Sequence, residues 1–293
     1  MNGIIVVDKP SGWTSHDVVA KLRGSLKVRR VGHGGTLDPM ATGVLPVFLG
    51  RATRAAEFCG NADKEYIAGL KLGVVTDTHD ITGNVTGVND ATVTKKELLD
   101  VIPRFIGSQE QIPPMYSAIK RDGKKLYELA RRGIDVPRPA REIDVSDIEL
   151  LDSGDDGVLL RIVCSKGTYI RTLCNDIGAA LGCGGTMSSL RRIRAGVFTV
   201  DVAHTLDAVL DAVSETGVEA MIRPVDSLFS EYPPIVLDDG NADRCRHGAA
   251  VQVARRTDGR YRFYARDGEF LMLGETDGGA VRVLKNFFGT DDG

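Results

Sequence analysis

Apolar residues fall along the chain in short runs and in three-to-four spacings, the two periods that separate strands from helices. IIVVDKP reads as a buried strand stopped by Pro10, since proline brings no amide to a ladder. Thr14 with Asp17 three residues on predicts a capping box opening a helix through VVAKLRGSL. A glycine loop follows, then a helix or turn around LGRATRAAEF. EYIAGLKLGVVT, rich in Val, Ile and Leu, predicts a strand, and HDITGNVTG is turn material. Thr94 and Glu97 cap a helix, KKELLDVIPRFIG, that ends near Gly107.

QIPPMYSAIKRDGKKLYELARRGIDVPRPAREI breaks this rhythm. Its Pro-Pro pair favours extended backbone, a short basic helix KKLYELARR ends at Gly133, and proline-punctuated chain runs on to Arg141. The pattern is that of an excursion from a core, held out towards a partner. EIDVSDIELL and GVLLRIVCS predict a hairpin, TYIRTLCNDIGAALG a helix, SLRRIRAGVFTV a strand and DVAHTLDAVLDAV a helix. After Pro224 the runs IVL, AVQVA, RYRFYAR, EFLMLGE and AVRVLKN are short and evenly spaced between glycines. That spacing predicts a small β-barrel or sandwich, with the boundary within residues 226 to 233.

Composition narrows the class. The chain has 293 residues, 42% of them apolar and 26% charged, the profile of one large or two smaller globular domains. Five scattered cysteines without a C-x-x-C pair argue against a disulfide framework or a thiolate zinc site and for a reducing compartment. The start has no basic n-region and no long apolar run, so no signal peptide is expected. No window approaches the roughly 20 apolar residues of a membrane span. A cytoplasmic protein is the expectation. The net charge of -3 by itself speaks against a nucleic-acid partner, but its distribution says more. Residues 119 to 141 carry eight bases against three acids; residues 201 to 243 carry ten acids against Arg223; residues 244 to 266 carry seven arginines against Asp258. A polyanion needs a local basic surface rather than a basic total, although solvated faces would give the same counts.

The stretch GHGGTLDPMATG, residues 32 to 43, sets one aspartate among four glycines. It lacks the endings of a P-loop or a dinucleotide loop. Glycines for positive φ and Pro39 for a rigid turn suffice as a structural reading. The same rigidity also suits a nucleophile, because an aspartate fixed before proline loses little freedom on reaching a transition state. From the loop alone both readings stand. A carboxylate in a closed pocket stays ionised when a cation holds it so. Arg171, set among apolar positions at the start of an otherwise neutral helix, is a candidate for that cation, and a surface arginine is the plainer alternative. The histidines show no metal-ligand spacing, so a carboxylate mechanism without metal or cofactor is expected.

Six stretches, in order, resemble the TruB-type tRNA pseudouridine synthases: VVDKPSGWTSHDVV, VGHGGTLDPMATGVLPVFLGRATR, KEYIAGLKLGVVTDTHDITG, QIPPMYSAIKRDGKKLYELARRG, CSKGTYIRTLCNDIGAALG and SSLRRIRAGVF. The resemblance implies an α+β fold, a mixed and largely antiparallel sheet core flanked by helices (the pseudouridine synthase fold). It implies a catalytic domain over residues 1–228, with an RNA-clamping insertion at about 110–142. A small PUA-like β-barrel that binds RNA would follow over 229–293. It implies isomerisation of uridine 55 in the tRNA T loop, on a flipped-out base, without cofactor; no extensive apolar surface helix suggests an obligate dimer, so a monomer is expected. Asp38 matches the catalytic aspartate, Tyr66 the active-site tyrosine that stacks on the uracil, and Arg171 the arginine that pairs with the aspartate. Tyr169 and Leu190 match residues lining the base pocket, Lys9 a supporting lysine, and His33 a histidine contacting the T loop. Gly34 occupies a slot where the family often has threonine. Lys120, Arg121, Lys124, Lys125, Arg131 and Arg132 would clamp the T-arm stem-loop. A non-catalytic RNA-binding module would need the basic clusters without Asp38. A carboxylate hydrolase would need a second carboxylate or metal ligands by the loop, and none is evident.

Overall fold

The computed structural model describes residues 1–90, 92–121, 123–154, 157–215, 217–253 and 257–289. Of the charges counted above, Asp122, Arg255 and Arg256 lie outside the described residues, as does Ala254 of the run AVQVA. The chain is α+β and divides into two compact units. The first comprises Met1–Asp38, Leu45–Gly60 and Asp201–Gly293; the second comprises Pro39–Val44 and Asn61–Val200.

In the first unit, the strand Gly3–Lys9 neighbours the strand Thr42–Leu49 on one side. On the other it pairs in parallel with His204–Thr205. Val31–His33 adds antiparallel to residues 47–49. The helix Ser15–Leu26 begins at the expected capping box: Thr14 Oγ1 accepts from the Asp17 amide, and Asp17 returns a bond to the Thr14 amide. Its buried face, Val18, Val19 and Leu22, packs with Ile5, Val7, Leu45, Val47 and Val209 into one core. A second core lies in the C-terminal part. There Pro234–Val236, Gly259–Tyr264, Phe270–Asp277 and Ala280–Asn286 form a four-stranded sheet in that order. The pairing is parallel at the first contact and antiparallel at the rest. Phe263, Leu271 and Met272 share a core with Ala242 and Cys245 of the helix Asp239–Arg246.

This sheet corrects the expected β-barrel. Among the described residues it is open: its edges are Pro234–Val236 and Ala280–Asn286, and no pairing closes them. The run AVQVA does not make a regular strand. The Val281 amide donates to the Val251 carbonyl and the Val253 amide to the Gly279 carbonyl, with a single bridge between Gln252 and Ala280.

In the second unit the sheet order is Thr42–Val44, Gly185–Ala195, Lys64–Leu72, Gly157–Cys164, Arg141–Gly154 and Gly107–Gln111. Only the first pairing is parallel. The sheet is therefore mixed and mostly antiparallel, as expected. Lys64–Leu72 lies centrally and alternates: Tyr66, Ala68 and Leu70 are buried on one face, while Glu65 on the other receives Arg161 (2.5 Å) and Arg194 (3.0 Å). The helix Ile170–Ala180 packs its apolar side on this sheet through Leu173, Cys174 and Ile177. None of the five cysteines is in a disulfide and all five are buried, and burial pushes the Cys164 and Cys174 thiols up to about 12. Among the described residues no helix is long and apolar enough to cross a membrane.

Candidate active site

Asp38 ends the first segment of the first unit and is half-buried. The residue before it is pinned: the Leu37 amide donates to Ser15 Oγ (2.8 Å), and that hydroxyl donates to the Leu37 carbonyl (3.3 Å). The glycines around it serve packing. A Cβ on Gly34 would come within 2.7 Å of Cys59 Sγ and 2.9 Å of Phe48 Cε2. In the second unit Gly43 has φ 101°, and a Cβ there would meet the Arg192 carbonyl at 2.1 Å. Arg192 itself is fully buried and donates from Nε to the Val44 carbonyl (2.7 Å). The chain on each side of the Asp38–Pro39 bond is thus fixed within its own unit. His33 sits on the short strand Val31–His33, its ring in an edge contact with His16 (5.4 Å between centroids). Lys9 is fully buried and donates to the Pro10 (2.9 Å) and Trp13 (2.6 Å) carbonyls, bracing the turn that leads to Thr14.

The other expected residues gather in the second unit. Tyr66 faces Arg192 across the ladder, and Leu190 faces Ala68. Opposed residues of an antiparallel pair share a face, so Tyr66 and Leu190 line one side of the sheet, both 8% exposed. Arg171 stands in the first turn of its helix, immediately after Ile170, with Tyr169 as the N-cap. A cation there opposes the helix dipole by about 0.3–1 kcal/mol. The cost is offset locally. Arg171 Nη1 pairs with Asp80 Oδ2 at 3.3 Å and Nη2 donates to the Tyr116 carbonyl at 2.5 Å. The guanidinium also lies 5.9 Å from the Tyr169 ring centroid.

Asp80 is a participant that sequence reasoning left as turn material in HDITGNVTG. Its Oδ1 accepts from the Thr82 amide (3.0 Å), from Thr82 Oγ1 (2.5 Å) and from Thr78 Oγ1 (3.0 Å), so the carboxylate is fixed before it meets Arg171. The turn is tied to the sheet by bonds between His79, Ile81 and Met187. An aspartate flanked by threonines two residues away on either side was the available signal. His79 has φ 63° and contacts Thr172 Oγ1 at 3.4 Å. Burial, then the charges of Arg171 and Arg138, hold its pKa below the ordinary 6.5.

The basic excursion folds as a small hairpin, Lys120–Arg121 with Lys124–Lys125, followed by the helix Leu126–Ala130. Leu126 is its buried anchor, and Lys120, Arg121, Lys124, Arg131 and Arg132 are exposed, with Lys125 half-buried. Lys125 and Arg131 each lie 5.4 Å from the Tyr127 ring. No group of His, Cys, Asp and Glu among the described residues is arranged to hold a metal ion.

Residues 23–170 match the family described as TruB family pseudouridylate synthase (N terminal domain), and residues 171–230 match the tRNA pseudouridylate synthase B C-terminal domain. The chain is 43% identical over 282 residues to the tRNA pseudouridine synthase B of Azoarcus sp. (strain BH72), covering 96% of this chain and 93% of that one. It is 39% identical over 292 residues to the tRNA pseudouridine synthase B of Clostridium kluyveri (strain ATCC 8527 / DSM 555 / NBRC 12016 / NCIMB 10680 / K1), covering 98% and 100%. Among solved structures, a chain of a Cbf5-Nop10-Gar1 complex is similar, with a TM-score of 0.75 and 31% identity over 98% of this chain and 85% of that one. A chain of an H/ACA RNP bound to a substrate RNA containing 2'-deoxyuridine has a TM-score of 0.74 at 30% identity, covering 98% and 85%.

Proposed function

The chain belongs to the TruB family of pseudouridylate synthases, isomerases that turn uridine into pseudouridine, and we propose that its target is uridine 55 in the T loop of tRNA. Asp38 is the nucleophile on the flipped-out nucleoside, and Arg171 is the cation that keeps it ionised. The reaction breaks the N1–C1′ bond and forms a C5–C1′ bond. C5 loses its proton to a base and N1 gains one, so atoms and electrons balance within one nucleoside without a redox partner. Tyr66 stacks on the uracil, and its hydroxyl takes part in removing the C5 proton. Tyr169 and Leu190 line the base pocket, His33 contacts the opened T loop, and Lys9 holds the turn behind the first helix.

The observation that best supports this reading is the setting of Arg171. It is buried at a helix start where its charge is unfavourable, and it is fixed by Asp80 and the Tyr116 carbonyl. Such placement serves a site rather than stability. Extruding a base costs a few kcal/mol, to be offset by stacking and phosphate contacts. The exposed bases of residues 119–141 supply phosphate contacts to the T arm. Residues 229–293, with a core of their own, form the RNA-binding appendage of residues 1–228, in the place of a PUA-like domain. The protein acts as a monomer in the cytoplasm, where its buried thiols stay reduced.

Unmodified tRNA carrying tritium at uridine C5 tests the assignment. The protein releases one tritium per tRNA, and replacing uridine 55 by cytidine abolishes release. Unchanged release from the cytidine-substituted tRNA would refute the T-loop assignment.

A further inference from the structure

The chain leading into the basic segment is tied twice, at Gln111 and at Tyr116, and both ties land at the start of the Arg171 helix. Gln111 ends the strand Gly107–Gln111 and is 4% exposed. Its amide grips the backbone of Tyr169 at two points. Nε2 donates to the Tyr169 carbonyl (3.1 Å), and the Tyr169 amide donates to Oε1 (2.8 Å). That carbonyl also accepts the Leu173 amide (3.0 Å), the helix's first bond. Gln111 therefore fixes the residue from which the helix, and Arg171 with it, begins. Five residues further on, the Tyr116 carbonyl takes the other tie, from Arg171 Nη2.

Between the ties runs Ile112–Met115, along a cleft of about 470 Å³ whose lining includes His79, Thr172 and Asp176. Pro113 and Pro114 are buried in this stretch, and two successive prolines restrict its backbone. A stiff strut tied at both ends moves as one piece. Its far end leads directly into the basic hairpin: the Tyr127 amide bonds to the Ser117 carbonyl and the Leu126 amide to the Ile119 carbonyl. These bonds form a continuous route from the hairpin to Tyr169 and Arg171.

We propose that Gln111 is a positioning residue for the isomerisation, one that couples the seating of segment 119–141 on RNA to the placement of Tyr169 and Arg171. This rests on the reading given under Proposed function. Gln111 does not touch substrate; it acts through the Tyr169 backbone.

Steady-state tritium release from tRNA tests it in four proteins: wild type, Gln111→Met, the pair Lys124→Ala with Arg131→Ala, and all three changes together. Methionine matches the length of glutamine and makes neither bond. Gln111→Met is expected to lower kcat by roughly tenfold while KM stays within about threefold. In the wild-type background the paired alanine changes lower kcat as well as raise KM. In the Gln111→Met background they lower kcat by less, because one of the two ties is already cut and only the Tyr116 tie remains. A folded Gln111→Met protein with wild-type kcat, or kcat losses that simply multiply, overturns the proposal. Should Gln111→Met fail to fold, the paired alanine variant decides by itself: an unchanged kcat with raised KM overturns the coupling. Activity retained by Asp38→Asn would instead sink the assignment of the reaction, on which the proposal stands.

Discussion

Arg171 and Asp80 meet at 3.3 Å with side chains only 7% and 5% exposed, 91 residues apart in sequence. The pair puts a fixed negative charge beside the guanidinium assigned to hold the nucleophile ionised. Removing one partner of a buried pair leaves an uncompensated charge, at a cost of about 3–5 kcal/mol.

Asp80→Asn tests the pair with little disturbance of the turn, since an amide oxygen can still accept from Thr82 and Thr78. We expect kcat to fall by at least about tenfold, roughly 1.4 kcal/mol of barrier, together with a lower urea midpoint. A kcat within twofold of wild type, about 0.4 kcal/mol, would show that the pair has no part in the reaction.

The exposed bases of the hairpin predict a steep salt dependence. Binding of a T-arm RNA hairpin should weaken linearly in log–log terms as salt rises. Each of Lys124→Ala and Arg131→Ala should reduce the slope by about one. A flat response measured by fluorescence anisotropy would contradict a phosphate clamp.

His79 predicts a dependence of stability on pH. Its folded-state pKa lies below the ordinary 6.5, first because of burial and then because of Arg171 and Arg138. As pH falls through 6.5 the unfolded chain takes up a proton that the folded protein still excludes. Stability from this residue is complete above that pH and declines below it. His79→Asn, whose side chain tolerates positive φ, should flatten the slope of unfolding free energy against pH below about 6.5. An unaltered slope in denaturant titrations would contradict it.

Gly34 is held by packing. Threonine there would drive its Cβ into Cys59 and Phe48. Gly34→Thr should cost about 1–3 kcal/mol, as overpacking does, and adding Cys59→Ala should recover part of the loss. A neutral Gly34→Thr variant in guanidinium unfolding would refute this.

Local signals were the most legible in the sequence. The capping boxes at Thr14–Asp17 and Thr94–Glu97 both form, because each needs only four consecutive residues. The hairpin EIDVSDIELL with GVLLRIVCS forms as read, and so does the Arg171 helix. The strand Thr42–Leu49 was missed. Its run TGVLPVFL has no period-two alternation, being buried along nearly its whole length, and it contains Pro46. The helix Asp239–Arg246 was missed because DGNADRCR is polar almost throughout, although Asp238 caps it through the Asn241 amide. Asp80 carried only the local signal of its flanking threonines, because its partner is 91 residues away; only the fold brings them together. The open C-terminal sheet was read as a barrel because strand spacing does not encode whether edges close.

The most direct measurement is tritium release by Asp38→Asn on unmodified tRNA, beside its affinity for the same tRNA. The account predicts no product above background and a Kd within a few-fold of wild type, under about 1 kcal/mol. Product at the wild-type rate would contradict it, whatever the affinity.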